Sequence, residues 1–405
     1  MAASAKPGTR RDPRAPARRV RLSRRGRLVR TAGLVVLTLG AYLGVSLGQA
    51  LAAPGTDSVA ARVAEWGRNH GMGVIVTTLE QLQYRLNPPK VGGTPDTALL
   101  RSAKSTAKPS GKASAANDAS TLPHVSIQPV GLQAPLAPVV SPHLPGEGVF
   151  HSVVTVKGQP AVQVAYLRPD SIHTSYLAGV VWMSSRLLSF VQHPGFTDPG
   201  HLGLWAQPDW LPPAQRAGLA ATFNSGFKMA DAQGGYYDNG HTLGSLARGA
   251  ASFVIYRDGH VAIGSWGPEV GMTPQVVSVR QNLRLLVDKG ALSPTLSTNV
   301  QSNWGATLKG AYYIWRSGVG ITASGDIVYV AGDALSVHSL AVLLQRAGAV
   351  RAMEMDINPA WISYMWYAPT ATSAKVIPTK LLPFARPADR YLTQTSRDFV
   401  AVYAR

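Results

Sequence analysis

Thr31 to Ala53 is a run of 23 residues without a charge, and it constrains the chain more than any other stretch. At a rise of 1.5 Å per residue, a helix of that length crosses roughly 30 Å of hydrocarbon. Eleven Lys/Arg and one acid, Asp12, precede it in residues 1–30. Arg24, Arg25, Arg27 and Arg30 sit immediately before it. Such a bias holds the basic end in the cytoplasm and sends the rest across. Residues 31–53 therefore read as a transmembrane signal anchor, 1–30 as a basic cytoplasmic tail, and the main domain as extracellular. A cleaved signal peptide competes, because Ala50-Leu51-Ala52 fits a small-x-small cleavage pattern. Length favours the anchor.

The anchor also accounts for much of the charge. Beyond residue 30 the chain has 28 Lys/Arg against 20 Asp/Glu, so most of the formal +18 belongs to the tail. No nucleic-acid partner is expected. A cysteine count of zero excludes disulfides, thiolate metal sites and cysteine catalysis. Hydrophobic content of 45% suffices for a substantial core. Arg, Ala, Gly and Pro usage suggests a bacterial, high-GC source.

Beyond the anchor, residues 57–87 read as a juxtamembrane helical segment. Val59, Val63 and Trp66 fall at helical spacing, as do Ile75, Leu79, Leu82 and Leu86. Gly71 and Gly73 separate the two helices, and Pro88-Pro89 stops the second. Their apolar faces need a cover: each other, the bilayer surface or the main domain. Residues 88–145 are rich in Ala, Ser, Pro, Lys and Gly, with little periodicity, and read as a disordered linker.

From Gly146 alternating apolar runs begin. Lys157-Gly158 and Asp258-Gly259 each sit between two such runs and predict hairpins. A helix is expected over Ser339 to Leu344, with Ser336 as N-cap and Gly348 as its stop. Strands at Ile327 to Ala331 and from Val350 complete a β-α-β unit. Residues 146–405 are thus an α+β domain: a mixed β-sheet with helices, preceded by one transmembrane helix and the linker.

Three stretches carry chemistry. Glu354 and Asp356 alternate onto one face of the strand from Val350, about 7 Å apart. They stand at its carboxyl end, where α/β sheets place ligands. Asn358-Pro359 ends the strand, and Trp361, Tyr364, Trp366 and Tyr367 follow. Carboxylates beside an aromatic loop suit a sugar site; the alternative is an ion pair to Arg351 or another cation with the aromatics as core. A second stretch, Phe223 to Gly249, is polar and glycine-rich, with Asn224, Gly226, Lys228 and His241. Its glycines admit a ligand close to the backbone, and Lys228 and His241 are candidates to face a phosphate. Asp231, Asp238 and Asn239 offer oxygen ligands, yet neither a His pair nor a repeated acidic loop appears, so no metal is predicted. Third, Arg316 leaves the apolar run Tyr312 to Trp315 into Ser317-Gly318-Val319-Gly320. That placement suits a bidentate phosphate contact or, as nearly, a salt bridge to Glu354 or Asp356.

Together these segments resemble the phosphodiester glycosidase family. Asn224-Ser225-Gly226-Phe227 is similar to its Asn-Gly-Gly-Phe motif, and Arg316 to Val330 to its arginine, turn and strand. Asp356 takes the aspartate position of its Leu-Asp-Gly-Gly turn. The two glycines after that aspartate are Ile357 and Asn358 here, followed by Pro359, Ala360 and Trp361. The resemblance runs from about Gly146 to the C-terminus and implies hydrolysis of a sugar-1-phosphodiester; no cofactor is predicted. The expected substrate is a cell-envelope glycan or sugar-phosphate polymer. Asp356 is the expected nucleophile or base, Glu354 its partner and Arg316 the phosphate clamp. Asn224, Gly226, Lys228, His241 and Trp361 are the expected substrate contacts. Asp231 or Asp238 would supply a third acid. The alternative is a non-catalytic cell-wall glycan-binding protein on the same fold.

Overall fold

The computed structural model describes residues 24–102, 129–201, 203–296, 301–305, 313–368 and 375–405. Most of the basic tail, the middle of the linker and Tyr312 lie outside these. The chain divides into two units, Met1–Ala53 and Pro54–Arg405. In the first, Arg24–Ala52 forms one helix, and its Leu28–Ala52 part is long and apolar enough to cross a membrane. Its threonines satisfy their hydroxyls within the helix: Thr31 Oγ1 donates to the Leu28 carbonyl and Thr38 Oγ1 to that of Leu34, each at 2.9 Å. A polar group in hydrocarbon needs such a partner.

In the second unit, Val59–Asn69 and Gly73–Leu86 are helices, as the apolar spacing predicts. Ser58 caps the first, accepting from Ala61 N at 3.2 Å. The linker read over 88–145 is described only at its two ends. Leu100, Val130 and Leu136 are buried there against the sheet. Val130 N and Gln133 N donate to the side chains of Gln159 and Gln163, each at 2.7 Å.

Three sheets build the rest. The largest runs, in spatial order, through His151–Val156, Gln159–Leu167, Ala178–Met183, Ile327–Leu335, Ile314–Thr322, Ala349–Glu354, Leu285–Asp288 and Ala291–Leu292. The second is His241–Leu243, Tyr236–Asp238, Val276–Gln281, Ala251–Tyr256 and Val261–Ser265. The third is Thr379–Lys380, Tyr364–Trp366, Leu219–Asn224, Phe399–Ala404 and Leu188–His193. Both predicted hairpins form, and Lys157 and Gly158 take the positive φ values of 50° and 73° that a two-residue turn requires.

The helix after Ser336 spans Val337–Arg346, with Ser336 and Ser339 in a capping box and Gly348 at φ 92°. Its two flanking strands do not pair with each other. Ile314–Thr322 lies between them, antiparallel to both. The β-α-β unit is therefore split by one strand, and Arg316 to Gly320 form the interior of that strand where the sequence suggested a turn. The glycines are there for packing. A Cβ on Gly318 would stand 2.9 Å from Leu344 Cδ1 on the helix, and one on Gly320 would stand 2.7 Å from Ala349 Cβ. Glycine in a strand interior marks such a close approach. Its effect is to seat the helix tightly over the strand that carries Arg316.

Candidate active site

Strands from all three sheets end around one buried cluster. Leu219–Asn224 delivers Asn224, Val276–Gln281 delivers Arg280, Ile314–Thr322 delivers Arg316 and Ser317, and Ala349–Glu354 delivers Glu354. Arg397 and Asp398 immediately precede Phe399–Ala404. The strand from Ala349 ends at Glu354, so Asp356 lies just beyond it in the turn. Main-chain contacts still hold that turn to the neighbouring strand. Ser317 Oγ donates to the Asp356 carbonyl at 2.8 Å, and Met355 N donates to the Ser317 carbonyl at 2.8 Å.

Asp356 is 5% exposed. Its Oδ1 accepts from Asn358 N at 2.8 Å and its Oδ2 from Arg397 Nη2 at 3.2 Å. Burial raises its pKa, and the Arg397 charge opposes that rise. Asn358 supports the turn further, accepting from Ala360 N at 2.9 Å through its side chain. Ile357 packs against the Phe227, Ala232 and Leu283 cluster, filling space beside the turn that glycine would leave open.

Arg316 makes the salt bridge to Glu354, with Nη1 to Oε1 at 2.7 Å and both side chains fully buried. Its Nε donates to the Leu335 carbonyl at 3.0 Å. A guanidinium held this way is engaged by Glu354 and the main chain. Arg397 is the cation beside the carboxylate of Asp356, and it also donates to the Gly226 carbonyl at 3.2 Å. Asn224 is a buried junction. Its Oδ1 accepts from Tyr329 Oη at 2.7 Å and Ser363 N at 3.1 Å, while Nδ2 donates to Ser317 Oγ at 3.1 Å. Gly226 lies under Asn282, where a Cβ would meet the Asn282 side chain at 3.2 Å. Trp361 is buried and carries the guanidinium groups of Arg386 and Arg397 over its ring, at 4.7 and 5.3 Å. Lys228 stands at the rim, ion-paired with Glu65 of the Val59–Asn69 helix. His241 is exposed on an edge strand of the second sheet and joins none of these contacts. Asp231 is exposed, and Asp238 is spent on Ala206 N at 2.7 Å. Among the described residues, no group of three or more His, Cys, Asp or Glu side chains is placed to hold a metal ion.

Sequence reasoning passed over Arg280, Arg397, Asp398 and Glu65. The signal was there for Arg280, since a charge inside an apolar strand must be paired to be buried. Arg280 Nε meets Asp398 Oδ2 at 2.7 Å.

The family model for phosphodiester glycosidases matches residues 216–356, about a third of the chain. The chain carries a phosphodiester glycosidase domain. It is a hydrolase domain for glycosyl phosphodiesters. The matched span holds Asn224, Lys228, Arg280, Arg316, Glu354 and Asp356; Glu65, Trp361 and Arg397 come from outside it. The structure resembles the catalytic domain of zebrafish N-acetylglucosamine-1-phosphodiester alpha-N-acetylglucosaminidase, in a form auto-inhibited by its pro-peptide. Identity is 14%, the TM-score is 0.39, and the match covers 63% of this chain and 88% of that one. A hypothetical protein from Synechocystis matches at 14% identity and a TM-score of 0.35, over 68% of this chain and 69% of that one. Both likenesses are too distant to guide the reading of single residues. The search of curated proteins returned no match.

Glu354 is expected to make the stability of the domain depend on pH. Burial pushes its pKa up to about 7 from the ordinary 4.5, with Arg316 pulling down and Asp356 adding to the rise. The folded state therefore binds a proton that the unfolded chain releases above about pH 4.5. Its contribution to stability is full below that pH and is lost as pH rises through 7. Between pH 5 and 8 the protein is expected to lose about 2 kcal/mol more stability than Glu354→Gln. Urea unfolding of the two at both pH values measures this, and equal losses would remove Glu354 as the source.

Proposed function

We propose that the domain hydrolyses a glycosyl phosphodiester at Asp356, using Arg397 and Lys228 to hold the phosphate. The observation that supports this most is the buried Asp356 carboxylate in contact with Arg397, on a turn fixed by Ser317 and Asn358. Breaking the sugar C1–O bond passes through an oxocarbenium-like state, which a carboxylate stabilises or traps. A departing phosphate diester becomes a monoester anion, so fixed cations serve it where an alcohol would need a proton. Glu354 and Arg316 position the strand end beneath the reacting groups. Asn224 ties Ser317 to the third sheet, and Trp361 holds Arg397 by its ring face.

The Leu28–Ala52 helix would anchor the domain in the membrane with the basic tail on the cytoplasmic side. The substrate is then an envelope glycopolymer or glycoconjugate outside the cell. The test is release of free reducing sugar from a panel of sugar-1-phosphodiesters by the full chain in detergent. Release from none of them, with glycan binding retained, would favour the binding-protein reading, which Ile357 at the glycine position supports.

The Val59–Asn69 helix bears on turnover. Glu65 brings a carboxylate to Lys228, and its charge also reaches Arg397. The same segment is tied down by Asp57, which meets Arg386 at 2.6 Å and Ser396, and by the Thr56 carbonyl, which accepts from Arg386 at 2.8 Å. A carboxylate on these cations competes with substrate phosphate. Glu65→Gln is therefore expected to lower KM about tenfold, the equivalent of 1.4 kcal/mol, with kcat little changed. Initial rates against substrate concentration read this directly. An unchanged or higher KM would place Glu65 outside the phosphate's path.

A further inference from the structure

The Gly73–Leu86 helix presents an apolar stripe that its own unit leaves open. Ile75, Leu79, Leu82 and Leu86 recur at steps of four, three and four, and are 58%, 62%, 51% and 70% exposed. Val74, beside the stripe, is 80% exposed. The helix's other side is already occupied. Val76 packs on Gly67 of the Val59–Asn69 helix, where an added Cβ would stand 3.1 Å from Val76 Cγ2. Met72 N donates to the Gly67 carbonyl at 2.8 Å and closes the hairpin. Val59 and Val63 of the first helix are also exposed, at 68% and 43%. Contiguous apolar surface of this kind marks an interaction site.

Its position in the chain points to the occupant. The membrane-length helix Leu28–Ala52 lies just upstream. The intervening chain contains the Val59–Asn69 helix, so Ala52 to Gly73 spans at most about 50 Å. Charge does not oppose this. The two acids between Pro54 and Met72, Asp57 and Glu65, are both turned onto cations, Arg386 and Lys228, and the Gly73–Leu86 helix carries one acid, Glu80, and one base, Arg85. A second copy of the chain fits less well, because a helix of 14 residues holds only two heptads and coiled-coil pairing needs about three or more.

We propose that this apolar face lies in the headgroup boundary of the membrane that holds Leu28–Ala52. The hairpin is fixed to the catalytic domain through Glu65 and Asp57, so seating it would hold the rim at Lys228 near the bilayer surface. Resting on the anchored-hydrolase reading, the site then takes glycosyl phosphodiesters presented at the membrane surface.

The absence of cysteine makes the test direct. The full chain is placed in nanodiscs of mixed neutral and anionic lipid, and single variants Leu79→Cys, Leu82→Cys and Lys157→Cys are spin-labelled. Lys157, exposed on a hairpin turn, is the water reference. At Leu79→Cys and Leu82→Cys, relaxation by oxygen is expected to exceed relaxation by a water-soluble nickel complex, with the order reversed at Lys157→Cys. Nickel-dominated relaxation at all three sites would overturn the proposal. So would spin–spin broadening at Leu79→Cys that disappears on dilution with unlabelled chain, which would assign the face to a second copy. No turnover is needed, so an inactive protein does not affect this result, and a water-exposed stripe leaves the assignment of Asp356 intact.

Discussion

Asp356→Asn is expected to lower turnover by about 10³-fold, within the range for removing a carboxylate that acts in the transition state. The substitution preserves shape. Asparagine keeps an oxygen for Asn358 N, and the backbone carbonyl still accepts from Ser317 Oγ, because neither contact uses the charge. Arg397 loses an anionic partner but keeps the Gly226 carbonyl, Asp198 at 3.7 Å and the face of Trp361. Fold and phosphate contacts should therefore survive. The loss falls in kcat, with KM within a few fold of the starting protein, which is the signature of an interaction made in the transition state. Reducing-sugar release over a substrate series separates the two constants. Turnover within threefold of the parent would remove Asp356 from the chemistry, and a loss carried wholly by KM would make it a binding group.

The carboxylate of Asp356 is legible in the sequence for a physical reason, although the strand stops at Glu354 and leaves Asp356 in the turn. The turn from Met355 to Pro359 is local, and a carboxylate at the end of an apolar strand is visible without a partner in hand. The capped helix after Ser336 and the two hairpins are legible on the same ground, since each is specified within a few residues. What escaped the sequence is non-local. Arg316 precedes two glycines, and a glycine run reads as a turn. Only the helix packed on Gly318 shows why the strand needs glycine there. Inside the strand, Arg316 makes the salt bridge to Glu354 that the sequence offered as its alternative to a phosphate contact, and the cation at Asp356 comes from elsewhere. It comes from Arg397, 41 residues on, just before a strand of the third sheet. Glu65 is still more remote, outside the domain that the resemblance covers, and nothing in its own helix announces a contact with Lys228.

Arg280→Met is expected to destabilise the protein by about 3–5 kcal/mol, the cost of leaving a buried charge without its partner. Arg280 is 1% exposed and Asp398 is 2% exposed, and their contact joins the second sheet to the third. Arg280 Nη1 also donates to the Gln281 carbonyl at 2.9 Å, and Nη2 bonds the Phe227 carbonyl. Methionine fills much of the volume and supplies none of these donors. Asp398 would keep Gln192 Nε2 at 3.1 Å, which cannot neutralise it. Burial already raises the Asp398 pKa against the pull of Arg280. Without that pull the pKa rises further, and protonation then relieves part of the strain. The deficit of Arg280→Met should thus be smaller at pH 5 than at pH 8, because the unfolded chain ionises Asp398 at the lower pH while the folded one retains its proton. Adding Asp398→Leu should recover most of the loss, since a buried ion pair contributes little beyond an apolar pair of similar volume. Urea unfolding in detergent, followed by tryptophan fluorescence at both pH values, tests all three statements. If the double variant is as unstable as the single one, the hydrogen bonds from Arg280 to the main chain at Phe227 and Gln281, and not its charge, hold the two sheets together at the site.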